Sequence, residues 1–122
     1  MKVTKQWAGS VVVLALEGRL TVEEDTRALH QALEECTRQG TKTVVLDLAR
    51  VPSLDCAGIG CLVTSYLTAR RRGATLKLLN VGARPLRLLS LARLLTVIEV
   101  YHNDEEVIGS AAAKTLSVRA RS

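Results

Sequence analysis

A chain of 122 residues holds enough material for one domain with a real core and too little for two. Hydrophobic residues make up 48% and charged residues 24% of it, a globular balance, and no apolar stretch reaches the roughly 18–20 residues needed to span a bilayer. The net charge of +5 suits solubility and leaves acidic partners open, and much of the excess has a local use: Arg70, Arg71 and Arg72 close a helix, and Arg119 and Arg121 lie in the tail.

Residues 2–7 alternate, with Val3, Lys5 and Trp7 on one side and Lys2, Thr4 and Gln6 on the other. Ala8-Gly9-Ser10 is turn chemistry, and Val11–Leu16 is an apolar run of strand length. The pair reads as a β-hairpin whose first strand is an edge and whose second is buried on both faces. Thr21 is placed to cap a helix with Glu23, Glu24 and Asp25 in its first turn, where carboxylates suit the helix dipole. Leu29, Ala32, Leu33 and Cys36 give this helix its apolar face, and Gly40 ends it.

Val44–Leu48 follows as a central strand. Pro52-Ser53-Leu54-Asp55-Cys56-Ala57-Gly58 then leads into a helix whose apolar positions, Ile59, Leu62, Val63, Tyr66 and Leu67, form a complete stripe. Gly73 stops that helix. Thr75–Asn80 is a short strand, Pro85 suits the first turn of the next helix, and Leu86, Leu89, Ala92 or Arg93, with Leu94 as a further candidate, continue it. Val97–Tyr101 is a last short strand. Asn103 or Asp104 caps a final helix packed through Val107, Ile108, Ala111 and Ala112, and residues 117–122 read as a disordered tail. The order ββαβαβαβα defines an α/β fold: a single layered domain over residues 1–116, with a mixed, mostly parallel sheet, an N-terminal hairpin and helices packed on it.

The chemistry-bearing residues are few. Cys36, Cys56 and Cys61 are odd in number and lack Cys-x-x-Cys spacing, which reads as free thiols of a cytoplasmic protein. Lys2 and Lys5 are followed by polar residues and Trp7 with no long apolar region, so no signal peptide is expected. His30 and His102 lie far from Cys56 in sequence and read as exposed polar residues, so no nucleophile–base pair is expected and the protein is not read as an enzyme. Cys56 and Cys61, five apart on a helix, point about 140° from one another, and no zinc-ligand spacing exists. No phosphate-cradling glycine loop is present; Gly58 and Gly60 are assigned to close packing of helix on sheet. No cofactor or metal is expected. Arg70–Arg72, Arg84, Arg87 and Arg93 offer a basic surface, but one Trp and two Tyr supply almost nothing for bases to stack on, so nucleic acid is not the expected partner.

The stretch Val44-Val45-Leu46-Asp47-Leu48 through Asp55-Cys56-Ala57-Gly58-Ile59-Gly60, set in this element order, resembles the STAS domain of bacterial anti-sigma-factor antagonists. Gly18-Arg19-Leu20 is similar to that family's Gly-x-Leu, and Arg72-Gly73-Ala74 before Leu76-Lys77-Leu78 is similar to its helix–strand boundary. The resemblance covers roughly residues 3–112. It implies a protein-interaction domain that regulates transcription by partner-switching. The partner would be an anti-sigma factor that is also a serine/threonine kinase, and it would phosphorylate the hydroxyl residue just before the Gly. By position, Asp55 matches the motif's Asp, Cys56 its first Ser, Ala57 the phospho-acceptor and Gly58 the Gly. The resemblance thus implies partner-binding roles for Thr21, Ser53, Asp55, Cys56, Ala57, Gly58 and Ile59, without a phosphate switch at Ala57, which has no oxygen. The same resemblance admits a STAS subunit of a larger assembly, such as a stressosome-like scaffold or a lipid-transport complex. No membrane insertion is implied, and a homodimer is left open.

Overall fold

The computed structural model describes residues 2–19, 23–52 and 54–102, with side chains of the first helix described from Arg27 onward. The elements are β1 (Lys2–Ala8), β2 (Val11–Glu17), α1 (Glu23–Arg38), β3 (Thr43–Arg50), α2 (Cys56–Arg71), β4 (Thr75–Leu79), α3 (Ala83–Leu91), a 3-10 turn at Leu94–Thr96, and β5 (Glu99–Tyr101). The strands form one sheet in the order β1-β2-β3-β4-β5. β1 runs antiparallel to β2, and every later pairing is parallel. The final helix expected from residue 103 and the tail lie outside the described residues. No described helix is long and apolar enough to cross a membrane.

Period-two patterning sets the two faces of the sheet. Val12, Leu14 and Leu16 of β2, Val44, Leu46 and Leu48 of β3, and Leu76 and Leu78 of β4 meet Leu29, Leu33 and Cys36 of α1, Cys61 and Leu62 of α2, and Leu89 of α3 in one core. On the other face Val11, Val13, Val45 and Leu79 form a smaller buried cluster with Tyr101 against it. The buried runs of β2 and β3, the edge position of β1 and the four apolar positions of α1 are as the sequence predicts.

Two expectations for α2 are corrected. Its buried positions are Gly58, Cys61, Leu62, Ser65 and Ala69. Ile59, Val63 and Tyr66 are only half-buried, and Leu67 is 51% exposed. Small side chains let α2 lie close to the sheet, so the larger apolar residues are left at its flank. Gly60 does not serve that packing, because a Cβ there would meet nothing within 4 Å.

Smaller departures follow along the chain. In α3, Pro85 and Leu89 are buried while Ala92 and Arg93 are exposed. β5 starts at Glu99, with Ile98 buried just before it. Lys77, unremarked in the sequence, is wholly buried in the middle of β4. Its ammonium sits 3.1 Å from Glu99 Oε1 and 5.2 Å from the centre of the Tyr101 ring, which gives the buried charge a carboxylate and a π face.

Candidate functional site

The site is the turn from β3 into α2. Leu48 and Val51 are buried, and Leu54, half-buried, packs against the same core. These anchors fix both sides of the turn, and Asp55 then starts the helix. Its backbone is extended at φ −125° and ψ −166°, and its carboxylate accepts a hydrogen bond from the Gly58 N–H at 3.0 Å. The Asp55 carbonyl accepts the Ile59 N–H at 2.9 Å as the first bond of the helix. Asp55 is therefore the N-cap its residue type predicts.

Asp55, Cys56 and Ala57 are all exposed, Gly58 is buried and Ile59 half-buried. The first turn of α2 thus shows the solvent an acidic cap, a thiol and a methyl group. Helical residues of the first turn include no acid, while Arg70 and Arg71 occupy the last turn. Asp55, the cap, is the acid that α2 itself places at the positive end of its dipole. The loop that follows β2 starts beside it: the Gly18 N–H donates to the Arg50 carbonyl at 3.1 Å, and Glu17 pairs with Arg50 at 3.6 Å. Of the residues expected to bind a partner, Asp55, Cys56, Ala57, Gly58 and Ile59 share this turn; Thr21 and Ser53 lie outside the described residues.

Cysteine and histidine are arranged differently from expectation. His30 is half-buried, and its Nε2 lies 3.7 Å from the Cys61 Sγ. A Cys–His contact therefore exists, but it joins α1 to α2 inside the fold and involves the buried thiol instead of exposed Cys56. Burial pushes the Cys61 thiol up, and the Ser65 hydroxyl pulls the other way. A thiol held in its protonated form is a poor nucleophile. The signal available in the sequence was spacing alone: His30 lies one residue beyond Leu29 of the buried α1 stripe. No group of three or more His, Cys, Asp or Glu among the described residues could hold a metal ion.

At the same end of the strands, on the face away from α1 and α2, a shallow hollow of about 330 Å³ is lined by Lys2, Thr4, Glu17, Asp47 and Arg50 among others. Asp47 is already engaged there, since its Oδ1 accepts from the Ala49 N–H at 3.0 Å and from Asn80 Nδ2 at 3.3 Å. Its lining carries charges of both signs and singles out no ligand class.

Residues 3–99 match the family model described as "Mlab, STAS domain". No curated protein sequence matches the chain. Among solved structures, an anti-sigma factor antagonist from Mycobacterium paratuberculosis superposes with a TM-score of 0.75 at 19% identity, covering 89% of this chain and 92% of that one. The phosphorylated form of the Bacillus cell fate determinant SpoIIAA gives 0.69 at 17% identity over 90% and 99%. A sulfate transporter family protein from Wolinella succinogenes gives 0.73 at 19% identity over 90% and 91%. At these identities the structures testify to the fold, while the family model, spanning most of the chain and including the whole β3–α2 turn, shows the family: this protein belongs to the STAS domain family.

Proposed function

We propose that this STAS domain is an anti-sigma-factor antagonist that docks its partner through the exposed Asp55-Cys56-Ala57 turn and is not switched off by phosphorylation there. The observation that carries the reading is the cap geometry. Asp55 holds the N-terminus of α2 at the surface with Ala57 exposed in its first turn, and the sequence resemblance matches Ala57 to the phospho-acceptor. A phosphate would add about −1.5 to −2 charges at that spot and repel or block a docked partner. A methyl group keeps the surface neutral. The partner would be an anti-sigma factor of the serine/threonine kinase type, and the protein would act by binding, without catalysis or a cofactor.

Two measurements test this. Incubation with the cognate anti-sigma kinase and ATP, followed by mass spectrometry, is expected to leave residues 53–64 unmodified; stoichiometric phosphate there removes the unswitched reading. Ala57→Glu places a charge at the centre of the proposed contact and is expected to weaken partner binding by more than about 1 kcal/mol. Unchanged affinity would place the contact elsewhere.

A second reading is favoured by the family model's name and by the sulfate transporter family protein among the structural neighbours: a STAS subunit of a larger assembly. Recovery of the tagged protein from its own cells in a stable multi-subunit complex that lacks any anti-sigma factor would select it.

A further inference from the structure

Charge is distributed unevenly along this chain. Residues 56–98 contain no Asp or Glu and seven Lys and Arg, so this segment alone, at +7, exceeds the +5 of the whole. Lys77 is buried within it, and the six arginines are exposed. Four of them gather at one end of the molecule. α2 ends at Arg71 just before β4 begins at Thr75, and α3 and its 3-10 turn end just before β5 begins at Glu99. Because β2 to β5 are parallel, both helices finish over the starting edge of the strands. Arg70, Arg71, Arg72 and Arg93 therefore share that end, joined by exposed Arg38 and Lys42 at the close of α1 and the start of β3. β3 is eight residues long, which sets this end about 25 Å from the Asp55 turn.

The same end carries apolar side chains that stand out into solvent. Leu91 is 76% exposed, Val97 50% and Leu95 38%, all in the closing part of α3 and the segment that follows. Trp7, 46% exposed, pairs with Val12 near the start of β2 and so belongs to the same end. Arg72 meets Glu34 at 3.4 Å. Arg70 and Arg71 reach the neutral hydroxyls of Tyr66 and Thr68, at 3.5 and 3.4 Å, and no carboxylate partner is seen for either among the described residues.

We propose that this end is a peripheral membrane-binding surface for anionic phospholipid. Guanidinium groups are weakly hydrated and match phosphate in bidentate geometry. Protruding leucines beside cations, with a Trp exposed on the same end of the sheet at its β1 edge, are features that seat a protein at the boundary of headgroups and acyl chains. A predominantly positive field spread over three helix ends, with Glu34 paired to Arg72 inside it, suits a charged sheet of lipid better than a compact protein partner. Nucleic acid offers the leucines nothing. Seated this way, the domain would hold the Asp55 turn away from the membrane and open to its partner.

The full chain is tested by flotation with vesicles containing about one-third phosphatidylglycerol, against phosphatidylcholine alone, with Trp7, the chain's one tryptophan, as an internal reporter. Binding to the anionic vesicles, a blue shift of Trp7 emission and release at about 0.5 M salt are expected. Arg70→Gln with Arg71→Gln, and separately Leu91→Ser with Leu95→Ser, should each weaken partition about tenfold. Arg27→Gln with Arg84→Gln, which removes the same charge from other parts of the surface, should leave it within about twofold. No binding by the wild-type chain, equal binding to neutral vesicles, or an equal loss in the Arg27/Arg84 variant overturns the proposal. So does capture of the chain by polyglutamate without capture by vesicles, which would assign the surface to an acidic protein. The Trp7 shift is read on the wild-type chain, so it decides the matter even if a variant fails to fold.

Discussion

Arg93 occupies a place where a chain usually puts glycine. It follows the Ala92 C-cap of α3 and adopts φ 61° and ψ 26°, the left-handed region in which a Cβ crowds the following carbonyl. Its N–H donates to the Ser90 carbonyl at 3.0 Å, and its own carbonyl accepts from the Thr96 hydroxyl at 3.0 Å. Those bonds close α3 and open the 3-10 turn, so the conformation is held by its surroundings at a steric cost. Arg93→Gly removes that cost and is expected to stabilise the fold by about 1 kcal/mol, seen as a higher urea midpoint with an unchanged slope. A lower midpoint would mean that the arginine side chain contributes more than its backbone costs. A docking role offers one reason to keep an arginine here: the variant should gain stability and lose some affinity for anionic vesicles. Asp55 shows the opposite case, a residue whose local role and proposed docking role agree, since the bond that caps α2 also fixes the surface a partner would meet.

At the scale of elements, α2 is where packing and pattern diverge. The helix is apolar nearly all round, and its buried line, Gly58, Cys61, Ser65 and Ala69 with Leu62, is made mostly of small side chains. Gly60 lies off that line facing open space. A mid-helix glycine with room around it costs helix stability without contributing packing, so Gly60→Ala should stabilise the protein by about 0.5–1 kcal/mol in thermal or urea unfolding. Destabilisation would show that the backbone there needs close contact with something the described residues do not include. β2, β3 and α1 were legible in the sequence because one face of each, or both, is filled by large aliphatic residues at a regular period. The stripe of α2 was misplaced because periodicity weighs Leu67 and Val63 above Cys61 and Ser65, whereas close approach to a sheet selects for small volume. The N-cap was legible, since an Asp ahead of a helix has a direct chemical role. The His30–Cys61 contact was not, because residues 31 apart in sequence meet only once α1 and α2 are laid side by side.

The molecule as a whole is organised so that its three thiols report different things. Cys56 is exposed in the first turn of α2, while Cys36 of α1 and Cys61 of α2 are buried in the same core. Ellman's reagent should modify Cys56 at once in the native protein, and the other two only when the core opens. Burial raises the pKa of both buried thiols above the ordinary thiol value, with Lys5 opposing the rise at Cys36 and Ser65 at Cys61. A folded-state pKa above the unfolded one favours the protonated thiol in the fold. The stability it represents is complete below the unfolded thiol's pKa and is lost as pH climbs through the folded value. Urea midpoints should therefore fall as pH rises through and beyond the ordinary thiol range, and labelling of Cys36 and Cys61 should quicken faster than that of Cys56 over the same rise. Cys61→Ala separates this from the titration of lysines and tyrosines: removing one buried thiol should shallow the fall while lowering stability at neutral pH. A fall of the same steepness in that variant would remove Cys61 from the alkaline response. Equal labelling of all three thiols in the native protein would mean that α1 and α2 open without global unfolding, and the helix pair that presents the Asp55 turn would then be mobile in its own right.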